Sequence, residues 1–377
     1  MNVGKPQVLV IASVLKPVDD VRMYKKIAKS LVETDKYTVN IVGFYAQSLP
    51  SDTSVRFHPL FAFPRLHWKR LLANIQFYQK LKEIGPHILM LTTPELYPAT
   101  WWYNKRFGVY LVYDMVENYS RNVRYNRSFS FLLVAPLASL VQRIERRLLS
   151  VARIILSAEI GYVSELNLSP DKVSVIENKA LRPPVALPER SRFSAPLSVI
   201  YTGTASEVYG ILQAVNLVRL LVEQEGMAIT LTVLAHVPQA SLLQQLQTLA
   251  LRYPWLKLRT SLRPVPHDDI LSLLGEADFG MVSHQPVPSI AHCFPTRIWE
   301  YMAFRLPFLL QDHPYWTTFC LPWDCAVILD FNNPDTQRIK QQMLESLFYP
   351  KGVPDTIYWE EEEKKLTAAL AEATTYR

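Results

Sequence analysis

The sequence predicts an α/β protein made of two doubly wound parallel sheets, one following the other along the chain. Three observations carry that expectation. At 377 residues the chain is too long for one ordinary domain. Short apolar strands alternate with amphipathic helices, the pattern of parallel βαβ units. A stretch rich in proline, residues 181–196 (LRPPVALPERSRFSAP), breaks the alternation before it resumes.

In the first half, residues 8–13 read as a buried strand. Asp19 or Asp20 can cap the helix that follows, whose Tyr24, Ile27, Ala28 and Leu31 share a face while Arg22, Lys25, Lys26 and Lys29 point elsewhere. Further strands are expected at 37–44, 87–92 and 110–113, with helices at 69–84 and 140–151. In the second half, strands are expected at 197–202, 229–234, 279–282, 308–311 and 326–329. A helix over 211–221 turns Ala214, Leu217, Val218 and Leu221 inward. A last helix over 358–373 is acidic first, from Glu360 to Glu363, and then carries Lys364 and Lys365, which complements its dipole. The expected domains are residues 1–190 and 197–354, Rossmann-like, facing a cleft where the strands' carboxyl ends bind ligand.

Composition narrows the function classes. Hydrophobic content of 49% and charged content of 20% describe a globular chain with ample core. The net charge of +6 is mild and dispersed, with no basic-aromatic motif, so no nucleic acid partner is expected. Cys293, Cys320 and Cys325 are too few for a disulfide framework, which favours a reducing compartment. With His292 and His313 nearby they still lack paired zinc-ligand spacing, so no metal is expected. The apolar run 8–15 follows Lys5 but has no small-residue cleavage site, and it reads as a strand rather than a signal peptide. Nothing approaches the ~20 apolar residues of a membrane span. The expectation is a cytoplasmic protein, free or bound to the inner face of the plasma membrane. Residues 129–141 are apolar, contain Pro136, and are bracketed by Arg121, Arg124 and Arg127 before and by Arg143, Arg146 and Arg147 after. Two readings stay open there: docking on anionic lipid, or a core helix with snorkelling arginines.

Several chemistries are missing from the sequence. No G-x-G-x-x-G follows the first strand, and no Walker loop, zinc-protease helix or nucleophile elbow occurs. No nicotinamide or flavin cofactor is expected. The turn Thr202-Gly203-Thr204-Ala205-Ser206 offers a glycine and two hydroxyls where a strand meets a helix, which suits a phosphate or an ordinary cap. From Phe294 to Pro307 the chain reads FPTRIWEYMAFRLP. Thr296 can cap a helix that turns Ile298, Trp299 and Met302 inward and places Thr296, Arg297 and Glu300 on one side. That geometry suits a carboxylate on ribose hydroxyls beside a phosphate-attracting arginine, or an i,i+3 surface ion pair. His284, His292 and His313 cluster near this segment, as structural histidines or as sugar or phosphate contacts. Glu95, in Thr93-Pro94-Glu95 at a strand end, is an acceptor contact or a solvated loop carboxylate.

The Pro295–Pro307 segment resembles the donor-binding motif of the large retaining "group 1" family of GT-B glycosyltransferases. There a Pro-Thr-basic-apolar-apolar-Glu-Tyr-Met-Ala run precedes a Leu-Pro and a strand. The resemblance extends to Ala12-Ser13-Val14 through Asp20-Val21-Arg22, to Tyr113-Asp114-Met115-Val116-Glu117-Asn118, to Ile176-Glu177-Asn178-Lys179, and to Gly203 through Gly210. It implies a GT-B fold with the C-terminal helix, residues 355–377, packed back on the first domain. It also implies transfer of a sugar from a nucleoside diphosphate sugar to a glycan or lipid-linked acceptor hydroxyl, as in cell-surface polysaccharide or glycolipid synthesis. The transferase would be hexosyltransferase-like and metal-independent. By the same resemblance Glu300 holds the donor ribose; Arg297, Thr296, Gly203 and Thr204 are the other expected donor-binding residues, with Arg297, Gly203 and Thr204 placed to stabilise the departing diphosphate. Asp20, Arg22 and Glu95 lie on the acceptor side, and Asp114, Glu117 and Asp20 are candidates for the chemistry. Three positions depart from the family pattern: His292 replaces a second glutamate, Tyr209 a diphosphate-gripping basic residue, and Val116 a histidine. A non-catalytic GT-B partner subunit and a sugar-nucleotide epimerase on the same fold therefore stay open.

Overall fold

Apolar, β-branched runs pair in parallel throughout the computed structural model, which describes residues 5–63, 67–125, 131–184, 187, 193–288, 290–371 and 373. Seven strands make one sheet: β1 (Gln7–Pro17), β2 (Tyr37–Phe44), β3 (Val55–Phe61), β4 (Ile88–Leu91), β5 (Tyr110–Met115), β6 (Ile154–Ser157) and β7 (Val173–Val175). Their order is β3-β2-β1-β4-β5-β6-β7. Six make another: β8 (Leu197–Thr204), β9 (Ile229–His236), β10 (Leu256–Ser261), β11 (Phe279–Val282), β12 (Phe308–Gln311) and β13 (Ala326–Leu329), in the order β10-β9-β8-β11-β12-β13. The central strands are buried on both faces, as parallel strands flanked by helices must be: Leu9 to Ala12, Ile88 to Leu91 and Phe279 to Val282 are almost wholly enclosed. In each sheet the winding reverses beside the first strand, at β1/β4 and at β8/β11. Those switch points are where a doubly wound sheet opens to a ligand.

The chain divides into two compact units, Met1–Asn178 with Trp359–Arg377, and Lys179–Tyr358. The division precedes the proline-rich stretch rather than falling within it. Ala180 already belongs to the second unit, because its N–H donates to Ile357 O at 3.1 Å and it bridges to Tyr358. Residues 185–186 and 188–192 of that stretch lie outside the described residues.

The helix Trp359–Ala369 completes the first unit. Trp359 Nε1 donates to Ser30 Oγ at 2.9 Å. The fully buried Glu362 carboxylate accepts from the Glu177 N–H at 2.8 Å and from Lys365 Nζ at 2.7 Å. A buried carboxylate is tolerated only when paired in this way.

Several elements differ from the sequence expectation. The helix expected at 140–151 runs Phe131–Val151, straight through Pro136. Strands β3, β6, β7 and β10 and the helix Tyr97–Phe107 had no counterpart in the expectation. The segment after Asp20 is a π-type helix over Val21–Ala28, continued as an α-helix over Lys29–Val32.

Candidate functional site

In the second unit, β8 ends on Gly203 and Thr204. Gly203 has φ +89°, and a Cβ there would stand 3.2 Å from Arg297 Nε and 3.3 Å from its Nη2. The glycine is needed both for its backbone conformation and for the guanidinium laid against it. The next helix, Ile211–Glu223, starts only after Gly210, whose φ is +70° and whose Cβ would lie 1.7 Å from Ser283 O. Thr204 and Ser206 therefore do not sit at a helix start. Ser206 Oγ accepts from Tyr209 N–H at 3.2 Å, and Thr204 contributes its carbonyl rather than its hydroxyl.

The helix Thr296–Ala303 is capped by the Pro295 backbone with no side-chain hydrogen bond, so Thr296 is its first residue and not its cap. Ile298, Trp299 and Met302 are buried as expected, and so are Arg297, Tyr301 and Ala303. Arg297 Nη2 donates to Thr204 O at 2.6 Å, and its guanidinium carbon lies 4.3 Å from the centroid of the Tyr201 ring. Its Nη1 is buried with no hydrogen-bond partner. Burial works against this charge, while Tyr201 and Tyr301 beside it more than offset that and raise its pKa. Arg297 is thus a held cation with one donor unspent.

Glu300 leaves the same helix in another direction. Its Oε1 is 2.9 Å from Nε2 of His267, the first residue of the helix His267–Glu276. Among the described residues no ion pair joins Arg297 to Glu300, so the i,i+3 surface pair is not formed. The sequence reading missed His267; a histidine directly after Pro266 gives no local signal that it meets a residue 33 positions on.

Around Arg297 the wall is aromatic. Tyr209 packs on His284 with ring centroids 4.8 Å apart, His284 meets Trp316 at 5.7 Å, and His313 stacks on Trp316 at 4.1 Å. Trp316 Nε1 donates to Cys293 O at 2.8 Å. Burial, with Arg297 and His313 nearby, holds the His284 pKa well below the usual histidine value, so its ring is neutral. His292 is exposed. Among the described residues no group of three or more His, Cys, Asp or Glu side chains could hold a metal ion. This corner offers an anion a fixed cation in a dry setting, where charge interactions are strong.

In the first unit the sequence candidates separate into different roles. Arg22 and Asp114 form a buried ion pair, Nε to Oδ2 at 3.0 Å and Nη2 to Oδ1 at 2.7 Å, with side chains 1% and 0% exposed. Burial would lower the Arg22 pKa, but Asp114 beside it raises it on balance. Neither side chain reaches solvent, which places both beneath the surface rather than at it. Asp20 caps Val21–Ala28, its Oδ1 accepting from the N–H groups of Arg22 and Met23 at 3.1 Å each, and it pairs with Lys16 at 3.4 Å. Glu95 pairs with Arg70 at 2.7 Å. Glu117 is exposed just beyond the carboxyl end of β5.

No family model matches the chain, and no curated protein matches its sequence. Solved structures do match over nearly the full length. Sucrose-phosphate synthase from Thermosynechococcus elongatus aligns at TM-score 0.67 and 13% identity, covering 98% of this chain and 96% of that one. WaaG, a glycosyltransferase involved in lipopolysaccharide biosynthesis, aligns at 0.61 and 12%, covering 98% and 99%. HepE from Anabaena, in complex with UDP and glucose, aligns at 0.56 and 12%, covering 98% and 95%. The fold is GT-B. Within that GT-B framework, Gly203, Thr204 and Arg297 meet at the switch point of the second sheet.

Proposed function

We propose that this GT-B protein is a metal-independent, hexosyltransferase-like glycosyltransferase acting on a nucleoside diphosphate sugar. One observation carries the reading: the buried Arg297 guanidinium, braced by Tyr201 and Thr204 O and laid against Gly203 through Nε and Nη2, keeps Nη1 unpaired, on the helix that also presents Glu300. Arg297 and the backbone at Gly203 and Thr204 take the diphosphate, Thr296 lies beside them at the helix start, and Glu300 accepts the ribose hydroxyls. In transfer, the bond from the sugar's anomeric carbon to the diphosphate breaks as a bond to the acceptor oxygen forms. The acceptor hydroxyl gives its proton to the departing diphosphate or to water, and the diphosphate gathers negative charge where Arg297 already stands. The resemblance to the retaining family supports a retaining outcome.

The first unit, with Asp20, Glu95 and Glu117 at or near its surface, faces the acceptor, a glycan or lipid-linked hydroxyl in cell-surface polysaccharide synthesis. Arg22 and Asp114 serve this side from below. WaaG's involvement in lipopolysaccharide biosynthesis and HepE's complex with UDP and glucose support this reading. The protein works at the cytoplasmic face of the plasma membrane as a peripheral protein; among the described residues no helix is long and apolar enough to cross a membrane.

Thermal-shift measurements with UDP, ADP, GDP and their sugars test the donor site. At least one diphosphate should raise the melting temperature, and Glu300→Ala and Arg297→Ala should remove the rise. No shift with any of them sinks the proposal. One observation favours a second reading, a non-catalytic GT-B partner subunit: Tyr209 packs on His284 where a basic residue is the family pattern. A nucleotide-induced shift without release of nucleotide in the presence of any acceptor would select it. Release of a C2-inverted free sugar would select an epimerase.

A further inference from the structure

The helix Tyr97–Phe107 carries an unusual surface. Trp102 is 64% exposed and Phe107 53%, and Trp101 remains 39% exposed although Lys105 Nζ sits 4.0 Å from its ring centroid. Arg106 is exposed beside them, and the helix bears no acidic residue. The adjoining helix Ala73–Ile84 packs against it through Tyr78 on Tyr103, 6.3 Å between ring centroids, and leaves Ile75 57% exposed. Its Glu83 is engaged by Lys80.

A groove of about 590 Å³ links this helix to the end of Phe131–Val151. Asn104 contributes from one side, Ser150 and Val151 from the other, with Arg153 and Lys172 also on its wall. The second helix adds exposed Leu140, Arg143, Arg146 and Arg147, while its Glu145 is buried against Tyr113. Exposed indole rings interleaved with cations, with Glu83 paired and Glu145 buried, form an apolar and positive face on the first unit.

We propose that this face seats on the anionic surface of a lipid bilayer. Trp101, Trp102 and Phe107 enter the headgroup layer, and Lys105, Arg106 and the arginines of the second helix meet lipid phosphates. Indoles are suited to that boundary because their rings are amphipathic, and juxtamembrane cations add attraction to anionic lipid. The inference rests on the peripheral-membrane part of the reading above and deepens it by naming its contact. It differs from the sequence expectation, which centred on residues 129–141; residues 126–130, Arg127 among them, lie outside the described residues.

Sedimentation of the full chain with vesicles of phosphatidylglycerol or of phosphatidylcholine tests it. The protein should pellet with phosphatidylglycerol, stay in solution with phosphatidylcholine, and be released by salt. Trp101→Ala/Trp102→Ala should weaken binding about ten-fold. Lys105→Glu/Arg106→Glu should weaken it by roughly five-fold or more per cation. Both variants should keep the wild-type melting temperature and nucleotide-induced shift, because neither touches the donor site. Equal binding to both lipids overturns the proposal, as does undiminished binding by the tryptophan variant. If the wild type binds neither vesicle, the peripheral-membrane reading falls as well, while the nucleotide shift still judges the donor reading.

Discussion

Nε2 of His267 stands 2.9 Å from Oε1 of Glu300, so the carboxylate proposed to hold a ribose is already oriented by a neighbour. The contact joins the first residue of the helix His267–Glu276 to the middle of the helix Thr296–Ala303. His267→Ala should weaken nucleoside diphosphate binding about ten-fold, the range for a hydrogen bond to a charged group. His267→Gln, whose amide can donate to Glu300, should restore most of it. Titrations with ribo- and dideoxyribonucleotides would show whether the loss is confined to the sugar hydroxyls. Equal losses for both sugars would reduce His267 to a structural residue.

Gly203 and Arg297 make a second test. A Cβ on Gly203 would press on the guanidinium from 3.2 Å and hold a backbone at φ +89° that side chains avoid. Gly203→Ala should cost about 1–2 kcal/mol of stability and largely abolish the thermal shift from nucleoside diphosphates. Arg297→Met keeps the bulk over Tyr201 and removes the charge. It should leave nucleoside binding detectable while diphosphate binding drops, measured by calorimetry with each ligand.

Arg22 and Asp114 should behave as a buried strut. Asp114→Ala strands a guanidinium at 1% exposure, at an expected cost of about 3–5 kcal/mol. Replacing both partners, Arg22→Met with Asp114→Leu, should recover much of that loss in denaturant titrations. A single substitution that lowers activity while leaving stability intact would contradict a purely supporting role.

Glu145 gives the first unit a pH dependence. Burial, helped by the Glu95 and Glu165 carboxylates and opposed by the Tyr113 hydroxyl, raises its pKa to about 7. In the unfolded chain it ionises near the usual glutamate value, about 4.3. The folded protein therefore holds its proton over a range where the unfolded chain has lost it. Stability from this group is complete below about pH 4.3 and falls as pH rises toward 7, by on the order of 3 kcal/mol. Glu145→Gln keeps an oxygen for Tyr113 Oη, 2.8 Å away, and should flatten the melting-temperature profile between pH 5 and 8 relative to wild type.

The legible parts of the fold were strands dominated by apolar residues. Residues 279–282 and 326–329 are continuous apolar runs, 308–311 is apolar up to Gln311, 37–44 is interrupted by Thr38 and Asn40, and β2, β11, β12 and β13 match those limits. Of the missed strands β6 is interior and buried, while β3, β7 and β10 lie at sheet edges. There Pro59 interrupts β3, β7 has only three residues, and β10 alternates buried and exposed positions through Lys257, Arg259 and Ser261. The helix Tyr97–Phe107 escaped notice because Trp101, Trp102 and Phe107 stand on the outside while Tyr97 and Tyr103 are buried, so aromatics mark both faces and blur the usual pattern. In the candidate site, Arg297, Glu300 and Gly203 were visible as a motif, but what each touches was not. Arg22 meets Asp114 across 92 positions and Glu300 meets His267 across 33, and no local periodicity encodes such meetings.

The helix Trp359–Ala369 has a bearing on biosynthesis. Its Trp359 closes on Ser30, and its Glu362 takes the Glu177 N–H. A ribosome must make all of Lys179–Tyr358 before that helix emerges. The first unit, begun earliest, is therefore finished after the second has been made. Until then Ile27 and Leu31 belong to a module lacking this helix, and a released chain ending at Tyr358 should be more protease-resistant in its second unit than in its first.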